Sequence, residues 1–208
     1  ATPFRTFVYN AHGALVTETD PRGIVTARAV DDLDRVTLID YADNTLDTAF
    51  TYDGLASLFQ KGRLVSIDRG GGASVVSYGY DRFGRMLQDG ALFYEYDKNG
   101  SRTKITYPGG VVADYTHDFA DREASLIVTG GGLGATTIAS SAVYKPSGPL
   151  SGLTLGNGLL ETREFDTRYY PDRIQAGALL DWDYTVDQVG NPTAITGTVL
   201  VLPSVPYA

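Results

Sequence analysis

Two stretches decide the reading of this chain: Tyr80-Asp81-Arg82-Phe83-Gly84-Arg85 and Tyr96-Asp97-Lys98-Asn99-Gly100. In each, an aromatic residue precedes Asp, and Gly follows three residues later. This is turn chemistry. An Asp carboxylate accepts the backbone N–H two residues on, and Gly at the fourth place takes a left-handed conformation without a Cβ penalty. Looser copies are Tyr9-Asn10 to Gly13, Val30-Asp31 to Arg35, Tyr52-Asp53, His117-Asp118 to Arg122, Tyr144-Lys145 to Gly148, Phe165-Asp166 and Val186-Asp187 to Gly190-Asn191. Their second residues stand at 10, 31, 53, 81, 97, 118, 145, 166 and 187, so four of the eight steps are 21 residues. A fixed period of this length marks a repeat architecture. Asp34 and Asp121 occupy the Gly place in two copies, and Asp tolerates positive φ.

Outward from each phrase the pattern becomes that of strands. Aromatic residues fall two apart ahead of the turn, at Phe7 and Tyr9, Phe50 and Tyr52, Tyr78 and Tyr80, Tyr94 and Tyr96, and Trp182 and Tyr184, which places each pair on one side of a strand. Returning segments such as Arg35-Val36-Thr37-Leu38-Ile39 are β-branched. A second set of turn signals lies between hairpins: Asp20-Pro21-Arg22-Gly23, Asp43-Asn44, Gly70 to Gly72, Asp89-Gly90, Pro108 to Gly110, Gly130 to Gly134, Gly156 to Gly158 and Gly177. The two long steps contain Arg69 to Ala73 and Gly130 to Ala135, which are read as lengthened turns. A longer tip is expected at Thr167 to Arg173, where Tyr169-Tyr170-Pro171 replaces the expected Gly.

Composition agrees. Fourteen Tyr and eight Phe beside twenty-four Gly and one Met indicate strands with glycine-rich turns and little helix. There is no Cys, which removes disulfides and thiol nucleophiles without fixing the compartment. A net charge of −8 argues against nucleic acid as a partner, because that affinity needs clustered Lys and Arg. No apolar run reaches the roughly 20 residues that span a bilayer, and Ala1 to Asn10 lacks a signal-peptide pattern.

The phrase aromatic-Asp-x-x-Gly-Arg/Asn, followed by a Pro-Gly or Gly-Asn-Gly turn and repeated from Phe7 to about Thr198, resembles the YD repeat, also called the Rhs repeat. That resemblance implies an all-β fold of tandem hairpins forming one wide, curled antiparallel sheet, part of a hollow shell. Such shells occur in bacterial polymorphic toxins, insecticidal toxin complexes and teneurins, and the bacterial ones hold a toxic carboxy-terminal domain. Residues 1–208 are read as a single array of about nine degenerate repeats. No segment resembles the family's self-cleavage motif, and Val201 to Ala208 carries no toxin-like domain. Eighteen strands at about 4.8 Å each give a sheet on the order of 85 Å wide, and closed as a ring it would be roughly 27 Å across. A domain of about 100 residues needs over about 30 Å. The chain is therefore expected to be a piece of a larger shell.

The expected partners are the remaining repeats of the parent protein and an enclosed polypeptide cargo, with self-association through open sheet edges. The expected location is secreted or on a bacterial cell surface. Tyr78, Tyr80, Tyr94, Tyr96, Trp182 and Tyr184 are candidate binding residues, as a sugar platform in a cell-surface adhesion module, against the alternative that they pack between hairpins. Asp53, Asp81, Gly84, Asp97, Gly100, Asp118, Asp166, Asp187 and Gly190 are the structural turn residues. Calcium at the tip aspartates, phosphate at the Gly70 and Gly130 runs, and catalysis by His12 or His117 each lack the accompanying pattern those chemistries need. Neither a cofactor nor a metal is expected, nor enzymatic activity; the rival is a remnant self-protease or a wall-degrading hydrolase. Arg35, Arg85, Arg122 and Arg173 lie just past the tips, where they could face cargo or pair with neighbouring tip acids.

Overall fold

The computed structural model describes residues 4–42, 46–72 and 74–199. The turn signal at Asp43-Asn44 and the segment from Val201 to Ala208 lie outside them. The chain divides into two compact units, Ala1–Tyr94 and Glu95–Ala208.

In the first unit the strands are β1 (Thr6–Tyr9), β2 (Leu15–Thr19), β3 (Val25–Val30), β4 (Val36–Tyr41), β5 (Thr48–Tyr52), β6 (Leu64–Arg69), β7 (Ser74–Tyr80), β8 (Met86–Asp89) and the start of β9 (Leu92–Tyr96). The second unit holds β10 (Arg102–Thr106), β11 (Val112–His117), β12 (Glu123–Gly130), β13 (Leu133–Tyr144), β14 (Leu150–Leu155), β15 (Leu160–Phe165), β16 (Pro171–Ala176), β17 (Leu180–Val186) and β18 (Pro192–Val199). Within each unit every strand pairs antiparallel with the next in sequence. The one helical element among the described residues is a single 3-10 turn, Ala56–Leu58. An all-β fold of tandem hairpins is what the turn phrase and the β-branched returns dictate.

The register explains the phrase. At eight hairpins the ladder shifts at the position just before the tip, as between Ala29 and Val30, Thr116 and His117, and Thr185 and Val186. All but the one after Tyr52 are three-residue loops whose last residue is left-handed, the hairpin form that carries a bulge. Asp34, Asp121 and Tyr169 take that place with φ of 58°, 59° and 66°, and Gly84 and Gly190 with 86° and 90°.

Three expectations are corrected here. The tip after Asp166 is of ordinary length, because Tyr169 itself turns left-handed and Asp166 N–H still reaches the Tyr170 carbonyl at 2.9 Å. The extra residues of the step from Asp53 to Asp81 sit in the tip, where the chain runs from Asp53 to Gly62 through the 3-10 turn. Those of the step from Asp118 to Lys145 lengthen β12 and β13 to 8 and 12 residues, while Gly131-Gly132 alone turns the chain between Gly130 and Leu133.

Burial is shallow. Among the described residues the only buried hydrophobic side chains are those of Ile105, Ala113 and Ala176, at 7%, 4% and 8% exposure, while Phe83, Leu33 and Val189 at the tips are exposed at 68%, 70% and 72%. Each unit, taken alone, leaves much apolar surface in water.

Candidate functional site

The hairpin tips form the most regular constellation in the molecule. Asp31 Oδ1 accepts the backbone N–H groups of Leu33 at 2.9 Å and Arg35 at 3.0 Å, while its Oδ2 takes the Arg35 Nε–H at 2.7 Å. Asp81 does the same with Phe83, Arg85 and the Arg85 Nε–H, and Asp118 with Ala120, Arg122 and the Arg122 Nε–H. Asp97 accepts from Asn99, Gly100 and Ser101. At Asp187 an Asn191 side chain replaces Arg, and at Asp166 the guanidinium comes from Arg168, two residues on. At Asp31, Asp81, Asp118, Asp166 and Asp187 one carboxylate thus closes the loop with both oxygens.

Six of the tips also hold the following one. The Arg35 guanidinium bridges Asp31 and Asp53 and lies 4.5 Å from the centre of the Tyr52 ring. Arg122 lies 4.5 Å from the Tyr144 ring and donates to the Lys145 carbonyl, and Arg168 donates to the Gln188 carbonyl. Arg63 stacks on Tyr80 at 5.3 Å, and Asn10 and Asn99 reach Asp34 and Asp121. Planar guanidinium suits this, since it bonds a carboxylate at its edge and covers a ring with its face. Asp53, itself left-handed at φ 58°, joins the ladder through Arg35 and the Gly62 N–H.

The electrostatic result repeats at several tips. The Arg35 hydrogen bond holds Asp31 below the usual carboxylate range, Arg122 does so for Asp118, Asn191 for Asp187, and the Gly62 N–H followed by Arg35 for Asp53. These carboxylates are ionised and committed to turn geometry. A general acid needs the opposite shift.

Of the arginines singled out in sequence, Arg35, Arg85 and Arg122 pair with the Asp of their own tip, and Arg35 also with the next. Arg173 stands apart: it pairs with Asp181 across β16 and β17, which raises its own pKa. Sequence reasoning missed the cross-tip contacts of Arg63, which stacks on Tyr80, and Arg168, which donates to the Gln188 carbonyl. The signal was present for the former, because Arg35 and Arg63 each precede a tip tyrosine by the same spacing, at Tyr52 and Tyr80.

The candidate aromatic residues occupy alternate positions. Tyr78 and Tyr80 share one side of β7, Tyr94 and Tyr96 one side of β9, and Trp182 and Tyr184 one side of β17. All six are half-buried, whereas the intervening Glu95 and Asp183 are exposed. Tyr80 donates its hydroxyl to the Leu64 carbonyl at 2.8 Å, and partial burial raises its pKa. Trp182 stands between Ile174 and Gly197 on the neighbouring strands. The pairs on β7 and β17 lie in different units.

No protein-family model matches the sequence, and no curated protein matches it. Solved structures do. TcdB2-TccC3 matches with a TM-score of 0.75 over 92% of this chain and 11% of that chain, at 14% identity. This chain has the fold of that toxin structure. TcdB2-TccC3-TEV matches at a TM-score of 0.70 and 14% identity over 94% of this chain and 11% of that one. The Photorhabdus luminescens Tc holotoxin pore, with a mutated TccC3, gives a TM-score of 0.70 and 13% identity over 95% and 11%. The likeness implied by the tip phrase therefore holds at the level of fold, and the chain spans about one ninth of the length of the chains it matches.

Proposed function

We propose that this chain is a non-catalytic wall segment of a YD-repeat shell, secreted by its host, whose parent protein encloses a polypeptide cargo. The observation that carries the reading is the tip ladder: most hairpins are closed by their own Asp, and six tips are tied to the following one by Arg or Asn, so that strand is added to strand. Shallow burial supports it. A layer with only three buried apolar residues among those described leaves its inner side chains to be covered by further repeats and by cargo. The fold match, which spans a small part of a much longer chain, points the same way.

The mechanism is exclusion. A continuously hydrogen-bonded sheet offers a protease no extended, accessible backbone, because its N–H and C=O groups are already paired. The tip ladder closes the loops, where nicking would otherwise begin. In the full-length parent, the enclosed segment should survive a trypsin concentration that digests the same segment expressed alone, and the difference should vanish once the shell is unfolded. Equal digestion rates in the folded parent and in isolation would refute the reading.

A further inference from the structure

One tip breaks the repeat, and it builds something. The segment from Asp53 to Gly62 replaces the three-residue loop found at the other tips described above, and its 3-10 turn brings Leu58 and Gln60 to a cavity beside β6 to β8 that Tyr78 and Tyr80 also line. Phe93 lies across from Gln88 and Gln88 across from Gly79, while Ser77, two residues before Gly79 on the same strand, lies across from Ser66, so these form two adjacent rows on one side. Together they line an open cavity of about 570 Å³, within the roughly 300–1,000 Å³ of small-molecule sites. In repeat proteins, insertions commonly mark the binding face.

We propose that this cavity binds an uncharged saccharide of one or two pyranose rings. None of the described residues lining it carries a formal charge, in a chain with 17 basic and 25 acidic residues. A charged ligand would be desolvated there without a counter-charge. A purely apolar ligand would strand the polar groups of the wall. Those groups are two carboxamides, two serine hydroxyls and the hydroxyls of Tyr78 and Tyr80, of which the Tyr80 hydroxyl already donates to the Leu64 carbonyl. Gln88 Nε2 donates to the Gly90 carbonyl at 2.9 Å, which turns the acceptor end of that amide to the ligand. Gln60 Oε1 accepts the Leu55 N–H at 3.0 Å, which leaves its two N–H donors. Ser66 and Ser77 supply hydroxyls that serve as either. Phe93, at 48% exposure, offers an aromatic face, whose negative quadrupole suits the C–H side of a pyranose.

Two glycines keep the space open. A Cβ on Gly79 would stand 3.2 Å from Gln88 Cβ, and one on Gly54 would stand 2.2 Å from Gln60 Oε1 and displace the insert. Of the six candidate aromatics, Tyr78 and Tyr80 also line the site. The proposal does not rest on the shell reading, since a wall segment and an adhesion module could both carry it.

The test is saturation-transfer NMR and titration calorimetry of the full chain with methyl β-glucopyranoside, cellobiose and N,N′-diacetylchitobiose as neutral probes and glucuronic acid as the anionic control. Saturable binding of at least one neutral probe is expected, with glucuronate at least tenfold weaker. Phe93→Ala should weaken it about tenfold, which corresponds to roughly 1.4 kcal/mol. Phe93→Trp should retain binding, and Gln88→Glu should abolish it with the β circular-dichroism signal unchanged. Absence of saturable binding for all three neutral probes overturns the proposal. So does glucuronate binding as tightly as the neutral probes, or unaltered affinity in folded Gln88→Glu. Should Phe93→Ala fail to fold, the Phe93→Trp and Gln88→Glu pair decides alone.

Discussion

The tips that open at Asp53 and at Asp81 start from the same Tyr-Asp pair and diverge within two residues. At Asp81 the carboxylate accepts the N–H groups of Phe83 and Arg85, Gly84 turns left-handed, and the loop closes. At Asp53 the Asp itself is left-handed, its carboxylate reaches forward to the Gly62 N–H, and the residues between are organised by the Gln60 amide instead. Both tips remain stitched to their neighbours, the first through Arg35 and the second through Arg63. The repeat constrains how a hairpin begins and how it meets the preceding tip. It leaves the loop between free to acquire another purpose.

The strongest way to break this comparison is at its glycines. Gly84 has a φ of +86°, and a Cβ there would lie 2.7 Å from the Arg63 guanidinium. Gly62 has a φ of +74° with nothing within 4 Å. A β-branched residue at positive φ costs about 1–2 kcal/mol from backbone strain alone. Gly62→Val should therefore destabilise by about that amount, while Gly84→Val should reach about 2–3 kcal/mol because it also displaces Arg63 from Tyr80. Urea denaturation of the two variants reads the difference directly. Equal losses would mean that the Arg63 contact contributes nothing to the regular tip.

Much of this was legible in the residues, and the physical reason is that turn chemistry is local. Asp31, Asp81, Asp97, Asp118, Asp166 and Asp187 each accept the N–H two residues on, as the spacing requires, and Asp34 and Asp121 accept positive φ in place of Gly. Lengths were harder. A step of 28 residues does not say whether the excess lies in a strand, a turn or a tip, because glycine-rich Gly70 to Gly72 and the segment after Asp53 both look loop-like. Tyr169 shows the converse failure: a bulky residue at φ 66° is strained, so sequence predicts a longer loop there, yet Asp166 supplies enough hydrogen bonds to hold it. The cavity was invisible, since Leu58 and Phe93 are far apart in sequence and are brought together by strand register.

A second test sharpens the role of the tip carboxylates. Asp31, Asp81, Asp118, Asp166 and Asp187 all titrate below the ordinary aspartate range. A carboxylate whose pKa is lower folded than unfolded contributes stability that is complete above the unfolded value, near about 3.9, and is lost as pH falls through the folded value. The melting temperature should be flat from about pH 7 to pH 5 and should fall steeply below about pH 4. Asp31→Asn keeps a side-chain acceptor but abolishes the charge pair with Arg35, so its acid limb should be shallower than that of the parent. An identical limb in the variant would show that Asp31 titrates alike in the folded and unfolded chain.

The smallest effect is expected where the regular and inserted tips meet. Arg35 closes its own loop through Asp31, crosses to Asp53, and covers the Tyr52 ring, three contacts that one planar guanidinium makes at once. Lysine carries the same charge but has neither the forked donors nor the flat face. Arg35→Lys should lower the melting temperature by about 1–3 °C, as expected for a modest loss in a chain of this size. Its salt dependence separates the causes: screening weakens exposed ion pairs but leaves ring stacking and loop geometry largely intact. Arg163→Lys is the matched control, because Arg163 pairs with Glu161 on the same strand and crosses to no tip. If both replacements shift the melting temperature equally, charge alone accounts for Arg35. A larger shift at Arg35 that persists in about 1 M salt assigns the difference to the planar group that joins one hairpin to the next.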